Sequence, residues 1–319
     1  MMDIVGFCRF SMLGHGDWGA YRADRPWQES AAEVAKELFR PARLERRFEA
    51  FEHLFIPSMN AQTDQDFTVA VMSSNAMPEE YRERLVALCA RTTTLRPFFL
   101  EPMPVVQAQR QVVDELGIDW AGMLQFRLDD DDCLFHRFIE TTRAHGRRLA
   151  KLPGFGISYP NVLVSVAYSD HDPVTYLRWA PFMSCGLSLR HPAKSVFSWI
   201  QHKHVPRYMV SVTDPNFHPY MTHRDDNDRR PYDLNAKRAE GLMDIGPAKL
   251  ARIMRTQYAY IGPEGGRILG QMPVPESDDS VAPRGGRGKK AKPLGARQGG
   301  AKRAGGRKKA AQQLQQPAD

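Results

Sequence analysis

The chain has 319 residues, 42% of them hydrophobic and 25% charged, which excludes a wholly disordered polymer and supplies enough apolar material for one large domain or two small ones. Its four cysteines, Cys8, Cys89, Cys133 and Cys185, form no CxxC pair, which argues against a disulfide framework or a thiolate zinc site and for a reducing compartment. The net charge of +7 belongs to the end of the chain: from Val281 onward eleven Lys and Arg face only Asp319, giving +10 and leaving −3 on the rest.

No apolar run approaches the roughly 18 to 20 residues of a membrane helix, and the opening segment is too short and acid-containing for a signal peptide. The expected location is the cytoplasm. Beyond about Glu276 the sequence is Gly, Ala, Lys, Arg, Gln and Pro without an aromatic residue, so residues 276–319 are expected to be a disordered basic tail. Such a tail suits an anionic membrane surface, which would make the protein peripheral at the inner face of the plasma membrane, or RNA. It equally suits a solubilising appendage, because no aromatics are interleaved for base stacking.

In chain order, Ile4 to Phe10 reads as a strand. Leu44, Phe48, Phe51, Leu54 and Phe55 recur at helical spacing, and Phe67 to Met72 is a β-branched and aromatic run. Pro78, Glu79 and Glu80 suit a first helical turn, with Tyr81, Leu85 and Leu88 on one face; a short strand follows at Arg96 to Leu100. The next helix carries Val105, Val112, Val113 and Leu116 and stops at Gly117. Met123 to Leu128 is then a strand that runs straight into four aspartates. This alternation predicts an α/β fold with a largely parallel, twisted sheet and flanking helices. Later, Val162 to Tyr168, Thr175 to Trp179 and Gly186 to Arg190 read as strands, and Val196 to Ile200 fits strand or helix. Residues from about His171 to Tyr232, rich in aromatics, His and Pro, suit an irregular substrate-facing region. The body is thus expected over 1–275, with one half at 1–135 and an acceptor-side half at 136–275.

The run Asp129-Asp130-Asp131-Asp132 is the most informative segment. It stands at the carboxyl end of a strand, where open α/β sheets place ligands. Four adjacent carboxylates repel, and a hard divalent cation such as Mg²⁺ or Mn²⁺ would relieve that repulsion while keeping positions for water and phosphate oxygens. In an extended segment Asp129 and Asp131 would point one way and Asp130 and Asp132 the other. The bland alternative is that Asp132 caps a helix carrying Leu134, Phe138 and Ile139, with a solvated acidic turn before it. An EF-hand is excluded by the missing Gly and Glu.

With these residues the sequence resembles the glycosyltransferases of GT-A architecture, and within them a bacterial family of rhamnosyltransferases. The matching stretches are Phe7-Cys8-Arg9-Phe10-Ser11, Arg47 to Asn60 with Phe67 to Pro78, Arg127 through Asp132 as a DxD motif, and Tyr220-Met221-Thr222-His223 through Asn227. The likeness spans roughly Asp3 to Gly270. It implies a nucleotide-sugar donor, a hydroxyl acceptor on a saccharide or, as the second choice, on a protein or lipid, and Mn²⁺ or Mg²⁺ as cofactor, with inversion at the transferred sugar. It implies Asp129 near the nucleotide ribose, Asp131 on the metal with Asp130 as its alternate, Arg127 and Arg9 toward the phosphates, and His223 as a late metal ligand. Ordinary ion pairs for the arginines and a loop role for His223 stand beside these readings.

The sequence departs from the pattern in two places. No Asp ends the second strand, leaving Ser73 or Asn75 to meet the base, and no acceptor-base carboxylate stands out among Asp170, Asp172, Asp225 and Asp226. Trp179, Phe182, Trp199 and Tyr208 read as core first and as a sugar-stacking platform second. Two rivals remain at this stage. One is a nucleotidyltransferase using the same acidic strand end, although Gly14 to Gly19 lacks the Lys of a phosphate loop. The other is a nucleic-acid-binding protein acting through its tail.

Overall fold

The computed structural model describes residues 2–14, 27–168, 171–198, 202–224 and 233–271. The chain divides into a compact unit, Met1–Pro275, and a second unit, Glu276–Asp319, which lies outside the described residues.

The first strand, β1 (Ile4–Arg9), is followed by helix α1 (Trp27–Leu38) and by α2 (Pro41–Ala50). The latter continues through one π-helical turn (Phe51–Phe55) into α3 (Ile56–Asn60). Then come β2 (Thr68–Ser74), α4 (Glu79–Cys89), β3 (Leu95–Leu100), α5 (Val105–Leu116) and β4 (Leu124–Arg127). All four strands are parallel, in the order β3-β2-β1-β4. The sheet is covered on both faces, as parallel sheets must be. Cys8, Val69 and Val71 pack with Leu44, Phe48, Phe51 and Leu85 of α2 to α4. Val5, Phe7, Ala70 and Met72 point the other way, onto Val105, Val112 and Val113 of α5. Alternation along each strand therefore supplies two apolar faces from one run. Gly117 ends α5 at φ 65°, a left-handed turn that glycine adopts without steric cost.

The second half is more regular than its composition suggests. Helix α6 (Phe138–Arg148) precedes β5 (Phe155–Ser158), β6 (Asn161–Tyr168), β7 (His171–Trp179) and β8 (Ser188–Arg190). A 3₁₀ turn (His202–Arg207), β9 (Val210–Thr213), β10 (Tyr220–Arg224), α7 (Leu234–Ala239), β11 (Leu242–Asp244), α8 (Pro247–Gln257) and α9 (Pro263–Leu269) complete it. Strands β8, β5 and β9 extend the first sheet to seven strands, with β8 antiparallel to β4. The others form a second sheet, β10-β6-β7-β11. The irregular region expected from His171 to Tyr232 thus contains four strands. Segment Ser195–Ser198 is neither strand nor helix, and Ile200 lies outside the described residues.

Two packing features hold the first sheet's ligand edge. Phe10, just past β1, meets Phe48 at 4.7 Å and Phe51 at 5.1 Å between centroids, which pins α2 beside the carboxyl ends of β1 and β4. Ser11, at φ 47°, turns the chain away from the strand and accepts a hydrogen bond from Arg43 at 3.0 Å. All four cysteines are free and buried. Burial pushes the Cys89 thiol up to about 12, so it stays protonated and unreactive. No helix among the described residues is long and apolar enough to cross a membrane.

Candidate active site

Strand β4 ends at Arg127, and Leu128 still donates its N–H to the Phe7 carbonyl of β1 (3.2 Å). The aspartates then turn back: the N–H of Asp132 donates to the carbonyl of Asp129 at 3.1 Å. The run is a tight turn and not an extended segment, so the expected pairing of Asp129 with Asp131 and of Asp130 with Asp132 does not occur. Cys133 resumes regular pairing, exchanging both backbone hydrogen bonds with Tyr220 of β10 at 3.0 Å. Tertiary pairing, invisible in a local pattern, imposes this turn by drawing Cys133 onto the second sheet.

Each carboxylate has its own surroundings. Asp129 accepts from Arg127 at 3.3 Å through both oxygens and lies 3.7 Å from Arg9. Burial raises its carboxyl, but Arg127, Arg9 and Arg47 outweigh that and hold it at about 2. The two guanidinium groups of this cluster lie over the Phe197 ring, Arg9 at 5.0 Å and Arg127 at 4.8 Å from its centroid. Side-chain exposures of 27% for Arg9 and 29% for Asp129 open this corner to solvent, and Arg127, at 14%, lies behind them. The Nε of Arg127 is buried without a hydrogen-bond partner among the described residues.

Asp130, expected at the donor, is instead fully buried and clamped by Arg47, whose Nε reaches one oxygen at 2.7 Å while a second nitrogen meets the other. This bidentate pair fastens α2 to the turn. Asp131, 8% exposed, is placed by its own carbonyl, which accepts from the Thr222 hydroxyl at 3.0 Å. The Cys185 thiol donates to the Tyr220 carbonyl at 3.8 Å, and Asp132 accepts from the Thr222 N–H at 2.9 Å. Its carboxyl is pushed well above the usual range by burial, then by Asp131 and Asp129, which favours its neutral form. The helix expected to follow Asp132 starts only at Phe138, and Arg137 occupies its cap position. Asp132 is therefore a β10 anchor and caps no helix.

The remaining expected residues scatter. Ser73, at the end of β2, is fully buried with its hydroxyl 3.9 Å from the Met77 sulfur, so it cannot reach a base as placed. Asn75, half-buried, donates to Glu101. His223 shares β10 with Thr222, but alternation sends it to the opposite face, edge-on to Tyr168 with centroids 6.4 Å apart. Burial, with a smaller push from Lys237, lowers its imidazole to about 4. Among the described residues no three His, Cys, Asp or Glu side chains gather as a ready metal site. Asp172 is exposed on β7, while Asp170, Asp225, Asp226 and Trp199 lie outside the described residues. Of the aromatic set, Trp179 and Tyr208 are exposed and Phe182 is core.

Three neighbours gain no role in the sequence reading: Arg47, Thr222 and Phe197. Only Arg47 left a signal, a basic residue one position from the apolar stripe of Leu44, Phe48 and Phe51, where a buried cation needs a partner. The others reach the site across separations that no local spacing encodes.

A family described as "Putative rhamnosyl transferase" matches residues 3–235. No match to a curated protein was found. Among solved structures, S. aureus TarS residues 1–349 aligns at 9% identity and a TM-score of 0.36, covering 69% of this chain and 60% of that one. The same fragment in complex with UDP aligns at 9% identity and 0.37, covering 71% and 62%. This chain thus spans about three-fifths of those fragments. The family match covers most of the chain, including every element that builds the turn of aspartates; the chain belongs to this family.

Proposed function

We propose that the protein transfers a sugar, rhamnose by the family's description, from a nucleotide-sugar donor to a hydroxyl of a saccharide acceptor, with inversion at the transferred carbon. The observation that carries this reading is the grouping of Arg9, Arg127 and Asp129 at the open carboxyl ends of β1 and β4, beside the Asp131 turn. Two guanidinium groups on one aromatic plate suit the paired charges of a diphosphate, and Asp129 suits ribose hydroxyls. In the reaction the acceptor oxygen bonds to the anomeric carbon, the bond from that carbon to the diphosphate oxygen breaks, and the hydroxyl proton passes to a base. Arg9 and Arg127 oppose the charge that grows on the leaving diphosphate, in positions already fixed before the donor arrives.

A divalent cation fits the donor chemistry of the turn in a limited way. Asp131, 8% exposed in the turn beside Asp129, is the carboxylate we assign to it. One carboxylate suffices for Mg²⁺ or Mn²⁺ when phosphate oxygens and water complete the shell. Bound there, the cation would supply further neutralisation of the leaving diphosphate. The test is release of nucleoside diphosphate from a panel of nucleotide sugars, with and without Mn²⁺ and with simple saccharide acceptors. Acceptor-dependent release from one donor supports the reading; nucleotide sugars that all remain intact refute it.

A further inference from the structure

The central strand of a seven-stranded sheet is an unfavourable place for an amide side chain, yet β4 carries Gln125 there, fully buried. Both of its polar atoms serve one segment, the stretch after β8: Oε1 accepts from the Val196 N–H at 3.0 Å and Nε2 donates to the Lys194 carbonyl at 3.1 Å. Gln109 of α5, equally buried, accepts a hydrogen bond from the Ser195 hydroxyl. That hydroxyl oxygen accepts in turn from the Phe197 N–H at 2.9 Å, while the Ser195 N–H donates to the Ser198 hydroxyl at 2.9 Å. From the exposed side, Arg110 donates to the Ala193 carbonyl at 3.0 Å. Three buried polar side chains, Gln109, Gln125 and Ser195, thus form a frame that fixes the backbone of Phe197.

Strand alternation carries that frame to the arginine corner. Gln125 and Arg127, two residues apart, share one face of β4; on neighbouring β1, Arg9 shares a face with Phe7, the residue paired with Arg127. Phe197 packs against the apolar cluster on this side, which includes Val5, Phe7 and Val196. The Arg9 and Arg127 guanidinium carbons lie 5.0 Å and 4.8 Å from its ring centroid. These two cations repel, and the carboxylate they share, Asp129, stands 3.7 Å from Arg9 and 3.3 Å from Arg127. The negative face of an aromatic ring adds an attraction for both.

We propose that Phe197 is a positioning residue of the donor site: held by Gln109, Gln125 and Ser195, its ring keeps Arg9 and Arg127 together so that one diphosphate meets both. The inference rests on the glycosyl-transfer reading above. Phe197 touches no reacting atom. It gathers two like charges before the diphosphate arrives, so that binding need not first draw them together against their repulsion and the freedom of two long side chains.

The experiment measures binding of inorganic pyrophosphate to the full-length protein by titration calorimetry. Phe197→Leu keeps an apolar contact with the core and removes the ring; Phe197→Met, closer in length, replaces it if the first variant does not fold. The expected result is about tenfold weaker binding without the ring, and binding within about twofold of the unsubstituted protein in Phe197→Tyr. Ser195→Ala keeps the ring and both arginines but deletes the acceptor of the Phe197 N–H, and should weaken binding about threefold. A double-mutant cycle separates positioning from packing: in an Arg9→Ala background Phe197→Leu should weaken binding only about threefold, because one of the two cations it acts through is gone. Undiminished binding in Phe197→Leu or Ser195→Ala, an equal loss in Phe197→Tyr, or additive effects in the cycle overturns this inference alone. Failure of both pyrophosphate and nucleoside diphosphates to bind the unsubstituted protein overturns the nucleotide-sugar reading beneath it.

Discussion

The four aspartates after β4 divide between the two halves of the molecule. Asp129 and Asp130 turn toward the first half, where Arg127, Arg9 and Arg47 meet them with full positive charge. The second sheet holds the other two through Thr222, whose N–H meets the Asp132 carboxyl and whose hydroxyl meets the Asp131 backbone carbonyl. The consequence is opposite chemistry from one residue type. Arginine holds the Asp129 carboxyl at about 2, whereas burial beside two like charges lifts that of Asp132. Part of the repulsion that a bare reading of the sequence assigns to a metal is thus met by three arginines.

Substitutions can break this division, and the largest effect is expected at its middle. Asp131→Asn keeps volume and loses charge; we expect at least about a hundredfold loss of sugar transfer with an unchanged melting temperature, read by nucleoside diphosphate release and calorimetry. Normal turnover in that variant would remove Asp131 from the chemistry. On the arginine side the effect is structural. Arg47→Met leaves Asp130 buried without its cation and should cost about 3 to 5 kcal/mol in urea unfolding, while Arg47→Met with Asp130→Leu should recover much of that loss. A double variant no better than the single would mean that the pair does not act as a unit.

The second sheet should answer to acid. His223, lowered to about 4 in the fold, titrates near 6.5 when unfolded, so between these values the unfolded chain binds more protons. Stability from this group is therefore complete above pH 6.5 and falls as pH drops toward 4. The partly buried position limits the loss at pH 5 to the order of 1 kcal/mol. His223→Gln should flatten the slope of melting temperature between pH 7 and 5, and an unchanged slope would place the imidazole in water. Smallest is Thr222→Val, which deletes the hydroxyl bond to the Asp131 carbonyl but spares the backbone bond to Asp132. We expect a loss of about 1 kcal/mol and a larger proportional loss of activity, since the turn that carries Asp131 loosens. Equal small effects on both would make Thr222 an ordinary packing contact.

The first four strands and their helices were legible because each carries its own period: Val69 and Val71 against Ala70 and Met72, or Val112 and Val113 before Gly117. The position of the acidic run at a strand end was legible for the same reason. Its conformation was not, because the turn from Asp129 to Asp132 is set by Cys133 pairing with Tyr220, a partner far along the chain. The second sheet was legible in part: β6 and the end of β7 read as strands, whereas His and aromatic residues mask the alternation of β10. His223 shares β10 with Thr222, which meets the turn of aspartates, yet its face depends on strand register, which a lone histidine cannot announce.

The central claim is that the corner built by Arg9, Arg127 and Asp129 receives the diphosphate of a sugar donor. Thermal unfolding of the full-length protein in a panel of nucleotide sugars and nucleoside diphosphates, each with Mn²⁺, tests it most directly. A cognate donor at a hundred times its dissociation constant should stabilise the fold by about 2.7 kcal/mol, and Arg9→Ala should abolish most of that gain without lowering the ligand-free melting temperature. Stabilisation by no member of the panel, or a gain untouched by Arg9→Ala, would contradict it.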